Sequence, residues 1–268
     1  AIEALKNIYL NWIPEEKILT TNVWSSELTK LASNAILAQR ISSINSLSAL
    51  CEKTGANIQE LAKGIGLDHR IGPHFLNASV GFGGSCFQKD ILNLVYLCRH
   101  YNLYDVAEYW HQVLKINNYQ KNRFSKNIID SYNNEIKNKK ICLLGWAFKP
   151  NTNDSRESPA IHVTGKLLEA GAELLIHDPL IKINQIKRDL KVYFFSRKIP
   201  NQKVDSFLMK VSSFKLNDIE GNNFSSIVIT SGWDDYKSLD WEILKTRVKI
   251  FDGCNIISNK KNIYSIGV

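Results

Sequence analysis

The sequence contains no run of apolar residues long enough to cross a membrane, so we predict no transmembrane segment. It has only five cysteines, an odd number at irregular spacings and without a Cys-x-x-Cys pair. This pattern argues against a disulfide scaffold and against a structural zinc site. We therefore predict a chain without a metal site, located in the reducing cytoplasm.

Two further features are missing. The chain begins at Ala1 rather than at a methionine and shows no signal-peptide pattern, so we expect a fragment of a longer protein. The dinucleotide fingerprint Gly-x-Gly-x-x-Gly also occurs nowhere. The nearest match begins Gly81-x-Gly83 but has Cys86 at the last glycine position. We therefore predict that this chain lacks the pyrophosphate turn of an NAD site.

The residues that are present are typical of a globular protein. The 268 residues, 44% hydrophobic and 22% charged, suggest about two domains. The formal net charge is +8, but the basic residues are scattered, and clusters such as Lys137–Lys140 are not interleaved with aromatic residues. This distribution argues against a nucleic-acid interface and suits a small ligand that carries phosphate.

Periodicity divides the chain into three zones. Residues 1–21 combine a short helical piece with an extended segment, residues 22–134 are rich in helix, and residues 135–268 alternate strand and helix. The second zone opens with apolar residues at helical spacing from about Ser25 to Lys53, followed by Gly55 at the C-cap position. A helix of about 29 residues spans over 40 Å, so we expect it to bridge domains or form a dimer core.

The third zone contains a strand–helix–strand unit. Its predicted elements are the strand Lys139–Gly145, the helix Pro159–Glu169 and the strand Ala172–Pro179. Buried-strand candidates at Ser226–Thr230 and Val248–Asp252 extend it. We predict an α/β fold: a helical central domain with a long bridging helix, followed by a C-terminal Rossmann-like, doubly wound parallel sheet.

The segment Val80–Asp90 is the one most typical of a reactive site. Three glycines in four residues let the backbone approach a ligand, and the apolar spacing from Phe87 onward predicts a helix with Cys86 at its N-terminus. Such a position favours a thiolate and offers free N–H groups to an oxyanion, and Asp90 lies on the same helix face. Covalent catalysis on a carbonyl and an inert cysteine under a tight turn both fit this spacing.

Two other segments carry polar side chains at positions where a functional site could form: one face of the long helix and the loop after the first strand. Lys30 and Asn34 lie four residues apart, hence on one face of the long helix, and this spacing alone favours an ordinary surface pair over a functional one. The loop after the first strand contains Lys149 and Arg156. It lies where doubly wound sheets bind ligands, and solvated loop charges are the alternative.

Together these segments resemble the nucleotide-sugar dehydrogenases of the UDP-glucose/GDP-mannose dehydrogenase family. The stretch Gly81–Asp90 resembles the nucleophile motif, and Trp24–Ala35 resembles the central-helix motif. The loop Lys149–Ser158 keeps the family's Lys, Thr, Asp, Arg and Ser spacing, and Gln39–Asn45 looks like the eukaryotic UDP-glucose 6-dehydrogenases. The resemblance departs at two places that are basic in the family, Asn77 and Cys254–Asn255.

The resemblance implies an NAD-dependent, four-electron oxidation of UDP-glucose to UDP-glucuronate. It implies that residues 1–21 are a remnant of the NAD-binding domain, 22–134 a central dimerisation domain and 135–268 a UDP-sugar-binding domain. Because the NAD-binding domain is expected to be missing, the chain alone is expected to be inactive. A homo-oligomer, at least a dimer, is expected, with neither nucleic acid nor membrane as a partner.

The resemblance also assigns roles to residues. Cys86 would attack the aldehyde to give a thiohemiacetal and then a thioester, Lys30 and Asn34 would stabilise the oxyanion, and Asp90 would orient or deprotonate water. Lys89 and Arg156 would contact NAD. Arg70 would reach the neighbouring subunit's site. The residues expected to hold the substrate are Arg70, Phe82, Gly83, Gly84, Phe148 and Lys149.

Two alternatives remain open. One is a dehydrogenase for another nucleotide sugar, such as GDP-mannose or a UDP-N-acetylhexosamine. The other is a non-catalytic module for UDP-sugar binding or dimerisation. The segments Trp24–Leu28 and Arg40–Asn45 favour UDP-glucose, and the presence of all four expected catalytic residues favours a catalytic parent.

Overall fold

The computed structural model describes residues 1–133 and 135–268. Within the described residues, five helices form the first half of the chain, and a 3-10 turn at Glu15–Lys17 lies between the first two. They are α1 (Ile2–Tyr9), α2 (Val23–Thr54), α3 (Ile58–Gly66), α4 (Phe87–His100) and α5 (Tyr104–Asp130). Among the described residues, no helix has the length and apolar character needed to span a membrane.

The predicted long helix is confirmed as α2. The Asn22 side chain accepts a hydrogen bond from the Ser25 N–H and so caps the first turn. Gly55 ends the helix with φ 77°, a left-handed conformation that glycine adopts without strain. The fully buried Ala35 and Ala38 contribute to a core cluster with α4 and α5 side chains, because small residues let helices approach closely.

The second half contains a six-stranded, all-parallel sheet, which confirms the predicted doubly wound fold. Its strand order is β3-β2-β1-β4-β5-β6, so the order reverses between β1 and β4. Doubly wound sheets bind ligands beyond the carboxyl ends of the strands at this point. The strands are β1 (Lys140–Leu144), β2 (Glu173–His177), β3 (Val211–Ser213), β4 (Ser226–Ile229), β5 (Lys249–Asp252) and β6 (Tyr264–Ser265).

Residues 135–268 contain five further helices beside the sheet. The first begins where predicted, because the Ser158 hydroxyl accepts from the Ala160 N–H and Pro159 fits the first helical position. A 3-10 turn follows β3 at Leu216–Asp218. The helices are α6 (Pro159–Glu169), α7 (Ile183–Ser196), α8 (Asn201–Met209), α9 (Asp234–Lys237) and α10 (Trp241–Arg247).

A buried polar network joins the C-terminal strand to the central helices. Arg123 of α5 pairs with Glu52 of α2, and both side chains are mostly shielded from solvent. The other oxygen of Glu52 accepts from the Tyr264 hydroxyl at 3.1 Å and from the Gly267 N–H at 2.8 Å. Phe124 and Ile128 of α5 belong to the same hydrophobic cluster as the sheet. The sheet and the central helices therefore share a core.

Candidate functional site

Cys86 lies at the N-terminus of α4, as the sequence predicts. It precedes the first helical residue, its carbonyl accepts the Asp90 N–H at 2.9 Å, and its side chain is exposed. The Ser85 Oγ lies 3.7 Å from the Cys86 Sγ. The first N–H groups of a helix have no acceptor within it, and they form the positive end of the helix dipole. A negatively charged group next to the Cys86 sulfur is therefore stabilised by the start of α4.

Asp90, one turn further along α4, joins α4 to the long helix. Its Oδ2 lies 2.9 Å from the Lys30 Nζ and accepts a 2.5 Å hydrogen bond from the Asn34 Nδ2. The Lys89 Nζ lies 3.6 Å from its other oxygen. Burial acts to raise the pKa of Asp90, but the hydrogen bonds from Lys30 and Asn34 and the charges of the two lysines outweigh it. The pKa of Asp90 is therefore lowered, and the carboxylate stays ionised at neutral pH.

The glycine loop before Cys86 (Gly81–Gly84) is held by a side chain that the sequence did not reveal. The buried amide of Asn117 accepts from the Phe82 N–H at 2.8 Å and donates to the Phe82 carbonyl at 3.0 Å. Gly81 has φ 126°, and a Cβ there would lie 2.7 Å from the Asn117 Oδ1. The loop is thus fixed by α5 in a form that only glycine fits at position 81.

Phe148 packs against the same loop from the sheet side. A Cβ on Gly84 would lie 3.0 Å from the Phe148 ring, and a Cβ on Gly83 would lie 2.5 Å from the Glu157 carbonyl oxygen. The Gly84 N–H donates to the Arg156 carbonyl at 2.8 Å. The structure therefore brings the glycine loop and the loop after β1 into direct contact, while the Lys149 Nζ lies 5.6 Å from the Phe148 ring centre.

The loop after β1 is fixed by Asp178, at the end of β2. Its Oδ2 accepts from the backbone N–H groups of Trp146 at 2.7 Å and Ala147 at 2.9 Å. Its Oδ1 accepts from the N–H groups of Leu180 and Ile181, each at 2.9 Å. Two of these four bonds hold the loop after β1, and the other two fix Asp178 in its own turn; charge-assisted bonds of this kind are stronger than neutral ones.

A cavity of about 830 Å³ lies between α4, α5, α6 and α7. Its lining includes Lys89 and Arg156, the two residues expected to contact a cofactor, together with Lys121 of α5. Arg156 is exposed and pairs with Asp154 at 2.8 Å. Lys89 and Arg156 thus share one cavity, although 67 positions separate them in the sequence.

Arg70 does not join this cluster within the chain. It is exposed and pairs with Asp68 in its own turn at 2.6 Å. The two departures from the family pattern lie in another part of the molecule. The Asn255 Nδ2 donates to the Ala78 and Ile266 carbonyls, each at 3.1 Å, and its Oδ1 accepts from the Lys260 Nζ at 2.7 Å. Asn255 therefore links backbone segments and is itself paired with a lysine.

Some features of the site have a sequence signal and others have none. Asp178 lies at the end of the predicted strand Ala172–Pro179, directly before the proline, and a side chain at the carboxyl end of a strand lies at the ligand-binding edge of such a sheet. Asn117 carries no such signal, since it lies inside a polar stretch of α5 and its partner is 35 positions away. Lys121 is likewise hidden, because sequence alone does not indicate that a lysine is buried.

Two family descriptions match the chain. The UDP-glucose/GDP-mannose dehydrogenase family central domain matches residues 24–119, and the same family's UDP binding domain matches residues 142–259. The two matches together include α2, the glycine loop, Cys86 and nearly the whole sheet.

The chain belongs to the UDP-glucose/GDP-mannose dehydrogenase family.

The family's named members include close relatives. UDP-glucose 6-dehydrogenase 1 of Glycine max is 50% identical over 280 aligned residues, which cover all of this chain and 58% of the relative. Among solved structures, a UDP-glucose dehydrogenase of Pyrobaculum islandicum has a TM-score of 0.76 at 27% identity, covering 98% of this chain and 55% of that one. A UDP-D-ManNAc dehydrogenase of Pyrococcus horikoshii shares the fold, with a TM-score of 0.74 at 19% identity over 99% and 57% of the two chains.

The loop after β1 does not fit the dinucleotide that the family implies. In a Rossmann-like sheet this loop receives the pyrophosphate on free N–H groups. Here the Trp146 and Ala147 N–H groups donate to Asp178, and a Cβ on Gly145 would lie 2.5 Å from the Ser231 Cβ. Lys89 and Arg156 fit a contact to an anionic group but do not form an enclosure for NAD.

Proposed function

We propose that this chain supplies the nucleophile, the oxyanion-stabilising groups and the nucleotide-sugar-binding groups of a UDP-glucose 6-dehydrogenase. The observation that carries the proposal is the cluster of Lys30, Asn34 and Asp90, one helical turn from the exposed Cys86. The chain spans 58% of its relative from Glycine max, so the activity of the whole enzyme is part of the proposal.

Cys86 is the nucleophile in this proposal. Its Sγ attacks the C6 aldehyde of the oxidised sugar, so that a carbon–sulfur bond forms while the carbonyl oxygen takes the negative charge. Protonation of that oxygen gives a thiohemiacetal, with no change in oxidation state. Exposure of the sulfur and its position at a helix N-terminus support the role, because a reactive cysteine needs both access and a positive local field.

Lys30 and Asn34 stabilise the developing oxyanion. Both side chains converge on one carboxylate oxygen of Asp90, which holds a cation and an amide donor side by side. Preorganised donors of this kind cost no reorganisation when charge develops on the substrate. Asp90 stays ionised because its pKa is lowered, and it orients or deprotonates the water that hydrolyses a thioester.

The sugar lies along the glycine loop. Phe82, Gly83 and Gly84 line it, and Phe148 and Lys149 hold the UDP part across the contact between the two loops. Arg70 reaches the site of a neighbouring subunit in a homo-oligomer that forms through α2. Its exposure and its place in a turn leave it accessible to a second copy.

The complete enzyme works in the cytoplasm with NAD as hydride acceptor for both oxidations. In this proposal residues 1–21 belong with the NAD-binding part, 22–134 form the central domain, and 135–268 bind the UDP-sugar. The boundary at residue 134 lies outside the described residues. UDP-glucose is favoured over other nucleotide sugars because the 50% identical relative is named for it, whereas the ManNAc enzyme shares the fold at 19% identity.

The chain itself allows a direct test that needs no cofactor. UDP-glucose with C6 at the aldehyde level, labelled with 13C at C6, is added to the chain and followed by 13C NMR. We expect the aldehyde and hydrate signals to give way to a thiohemiacetal signal in the wild type and not in Cys86→Ser. Cys254→Ser, which changes a half-buried cysteine of the sheet edge, is the matched control and keeps the signal.

Two further results complete the test. The isolated chain is expected to produce no NADH from UDP-glucose, and calorimetry is expected to show binding of UDP but not of NAD. A thiohemiacetal signal that persists in Cys86→Ser would remove Cys86 from the role. Steady NADH production by the chain would overturn the assignment of NAD binding to another part of the enzyme.

A further inference from the structure

Positive charge is concentrated in one stretch of the C-terminal half. Residues 182–215 carry nine Lys or Arg against two Asp, a net charge of +7 in a chain whose total is +8. This stretch forms α7, α8 and the short strand β3, at one edge of the sheet. The scatter of basic residues expected from the sequence therefore does not extend to this part of the molecule.

Most of these cations have no ion-pair partner. Arg197 lies 3.5 Å from Glu169. Among the residues that the structure describes, six ammonium groups of the stretch form no ion pair with a carboxylate: Lys182, Lys187, Lys191, Lys198, Lys203 and Lys215. Unpaired like charges on one surface create a positive potential that attracts an acidic partner.

The outer face of α7 combines charge with apolar surface. Arg188, Lys191 and Phe195 lie at positions i, i+3 and i+7 and form one exposed line, which we call the basic stripe. Phe195 is 42% exposed. The opposite face of the helix is buried in the core through Ile186, Leu190 and Phe194. One face of α7 is thus fixed in the fold, and the other offers cations beside an aromatic ring.

A cavity of about 590 Å³ lies at the N-terminal end of α7. It is situated beyond the carboxyl ends of β2 and β3, and Lys182 and Lys215 line it. Its apolar lining is formed by Ile176, Ile181, Ile183, Phe214 and Leu216. Such a cavity can receive a large apolar side chain, and anchors of this kind carry most of the binding energy of a protein interface.

His177 gives the same cavity a hydrogen-bond acceptor. The Tyr236 hydroxyl donates to the His177 carbonyl at 3.0 Å, and the hydroxyl oxygen lies 3.1 Å from the His177 Nδ1. Because a hydroxyl has one hydrogen, the Nδ1 must donate its own N–H to the tyrosine oxygen. The lone pair is then on Nε2, which has no partner within residues 1–133 and 135–268. Burial lowers the pKa of His177, so the ring is neutral at neutral pH.

The extent and chemistry of this surface favour a polypeptide as the partner. From Ile183 to Phe195 the helix extends about 18 Å, which is more than one small ligand covers. The Lys191 ammonium lies over the Phe195 ring, 5.6 Å from its centre, so that ring face is not free to stack on a nucleobase. The apolar face of α7 is buried in the core and cannot enter a bilayer.

We infer that α7 and the cavity at its N-terminal end form a docking surface for an acidic polypeptide segment with a tyrosine anchor. Carboxylates of the segment pair with Arg188 and Lys191 of the basic stripe. Others pair with Lys182 and Lys215 at the cavity, where the tyrosine donates its hydroxyl hydrogen to the His177 Nε2. Charge complementarity orients the segment, and the buried anchor holds it. The surface is separate from the glycine loop and its cysteine, so the inference does not rest on the proposed function.

The test measures binding of the 268-residue chain to a fluorescently labelled random copolymer of glutamate and tyrosine. Fluorescence anisotropy at low ionic strength gives the affinity. We expect the double variant Arg188→Glu with Lys191→Glu to bind about tenfold more weakly or worse. The matched control is Lys137→Glu with Lys139→Glu, which changes the net charge equally at exposed positions before β1. We expect the control to change the affinity by less than about threefold.

The anchor is tested with a second copolymer, in which phenylalanine replaces tyrosine. We expect the wild type to prefer the tyrosine copolymer by about fivefold, because only tyrosine donates a hydrogen bond. His177→Phe should lose this preference, and His74→Phe, at an exposed position away from the cavity, should keep it. Equal binding of the two copolymers by the wild type, or a preference that survives in His177→Phe, would overturn the proposed anchor.

Other partners are distinguished with the same double variant. Tighter binding of single-stranded poly(dT) or of phosphatidylserine vesicles, lost in the double variant, would assign the surface to nucleic acid or to a membrane and overturn the inference. Self-association of the wild type in sedimentation, lost in the double variant, would assign it to a second copy with the same consequence. Equal losses in the double variant and its control, or no binding of the acidic copolymer, would also overturn the inference.

Discussion

The Asn117 side chain bonds to both backbone polar groups of Phe82. The Asn117 Oδ1 accepts from the Phe82 N–H, and the Asn117 Nδ2 donates to the Phe82 carbonyl. An asparagine amide is one of few side chains that satisfy a backbone donor and acceptor at once, as a neighbouring strand does. The Asn117 side chain therefore attaches the glycine loop before Cys86 to α5 with the same pair of hydrogen bonds that a neighbouring β-strand would make.

We expect Asn117→Leu to destabilise the chain by about 2 kcal/mol or more, because it leaves the Phe82 N–H and carbonyl buried without partners. Chemical denaturation measures the change. The control is Asn118→Leu, the exposed neighbour on the same helix, for which we expect a change within about 0.5 kcal/mol. Equal effects of the two substitutions would contradict the role given to Asn117.

We expect Lys30→Met to raise the pKa of Asp90. Burial favours the protonated acid, and Lys30 provides both a hydrogen bond and a charge that oppose it. A 13C NMR titration of the labelled carboxyl group measures the midpoint in each variant. Lys126→Met, which removes an exposed lysine paired with Asp130, is expected to leave the Asp90 midpoint unchanged.

The same shift predicts how stability depends on pH. Because the folded-state pKa of Asp90 is below its unfolded-state value, this carboxylate stabilises the fold above about pH 4. The contribution is lost as the pH falls through the folded-state pKa. Denaturation midpoints measured from pH 6 downward should therefore fall less steeply in Asp90→Asn than in the wild type, and parallel curves would exclude the effect.

We expect Gly83→Ala to cost about 1–3 kcal/mol, because its Cβ would lie 2.5 Å from the Glu157 carbonyl oxygen and force the two loops apart. Gly64→Ala in α3 is the matched control. No atom lies within 4 Å of its added Cβ, so we expect a gain of about 0.5–1 kcal/mol from better helix formation. Thermal melts measure the stability change in both variants. A loss in both, or a gain in both, would contradict the predicted clash at Gly83.

We expect Asp178→Ala to release the loop after β1. The Trp146 and Ala147 N–H groups lose their charged acceptor, so these two amides should exchange with solvent much faster. Hydrogen exchange read by NMR measures this directly. Asp205→Ala, at an exposed position on α8, should leave both amides protected. Unchanged exchange in Asp178→Ala would show that packing alone holds the loop.

Sequence patterns predicted those parts of the fold whose signals come from residues close together in the chain. The cap at Asn22, the helical spacing of α2 and the glycine after it lie within one stretch of sequence, and so do the strand and helix signals of the βαβ unit. The strands β3 and β6 were not predicted, because they have only three and two residues and carry no alternation. The helix α5 was not singled out either, since buried Asn117, Gln120 and Lys121 interrupt its apolar face.

The sequence predicted which residues make up the candidate site, but it did not predict the contacts between them. The glycine pattern places Cys86 at a helix start, and helical spacing places Lys30 beside Asn34. The bond from Lys30 to Asp90 joins positions 60 apart, and no local period encodes it. The links made by Asn117 and Asp178 span 35 and 32 positions. Such contacts depend on how helices pack, which one sequence does not specify.

The carboxylate of Asp178 also sets the direction from which a charged ligand enters. A phosphate that approached β1 along the sheet would meet fixed negative charge, because the free donors of that turn are already occupied. Approach from the helical side meets Lys30, Lys89 and Lys121 instead. The fixed charge of Asp178 therefore makes the sheet side of this loop unfavourable to anions, and the lysine-bearing helical side is the electrostatically favoured approach for a negatively charged ligand.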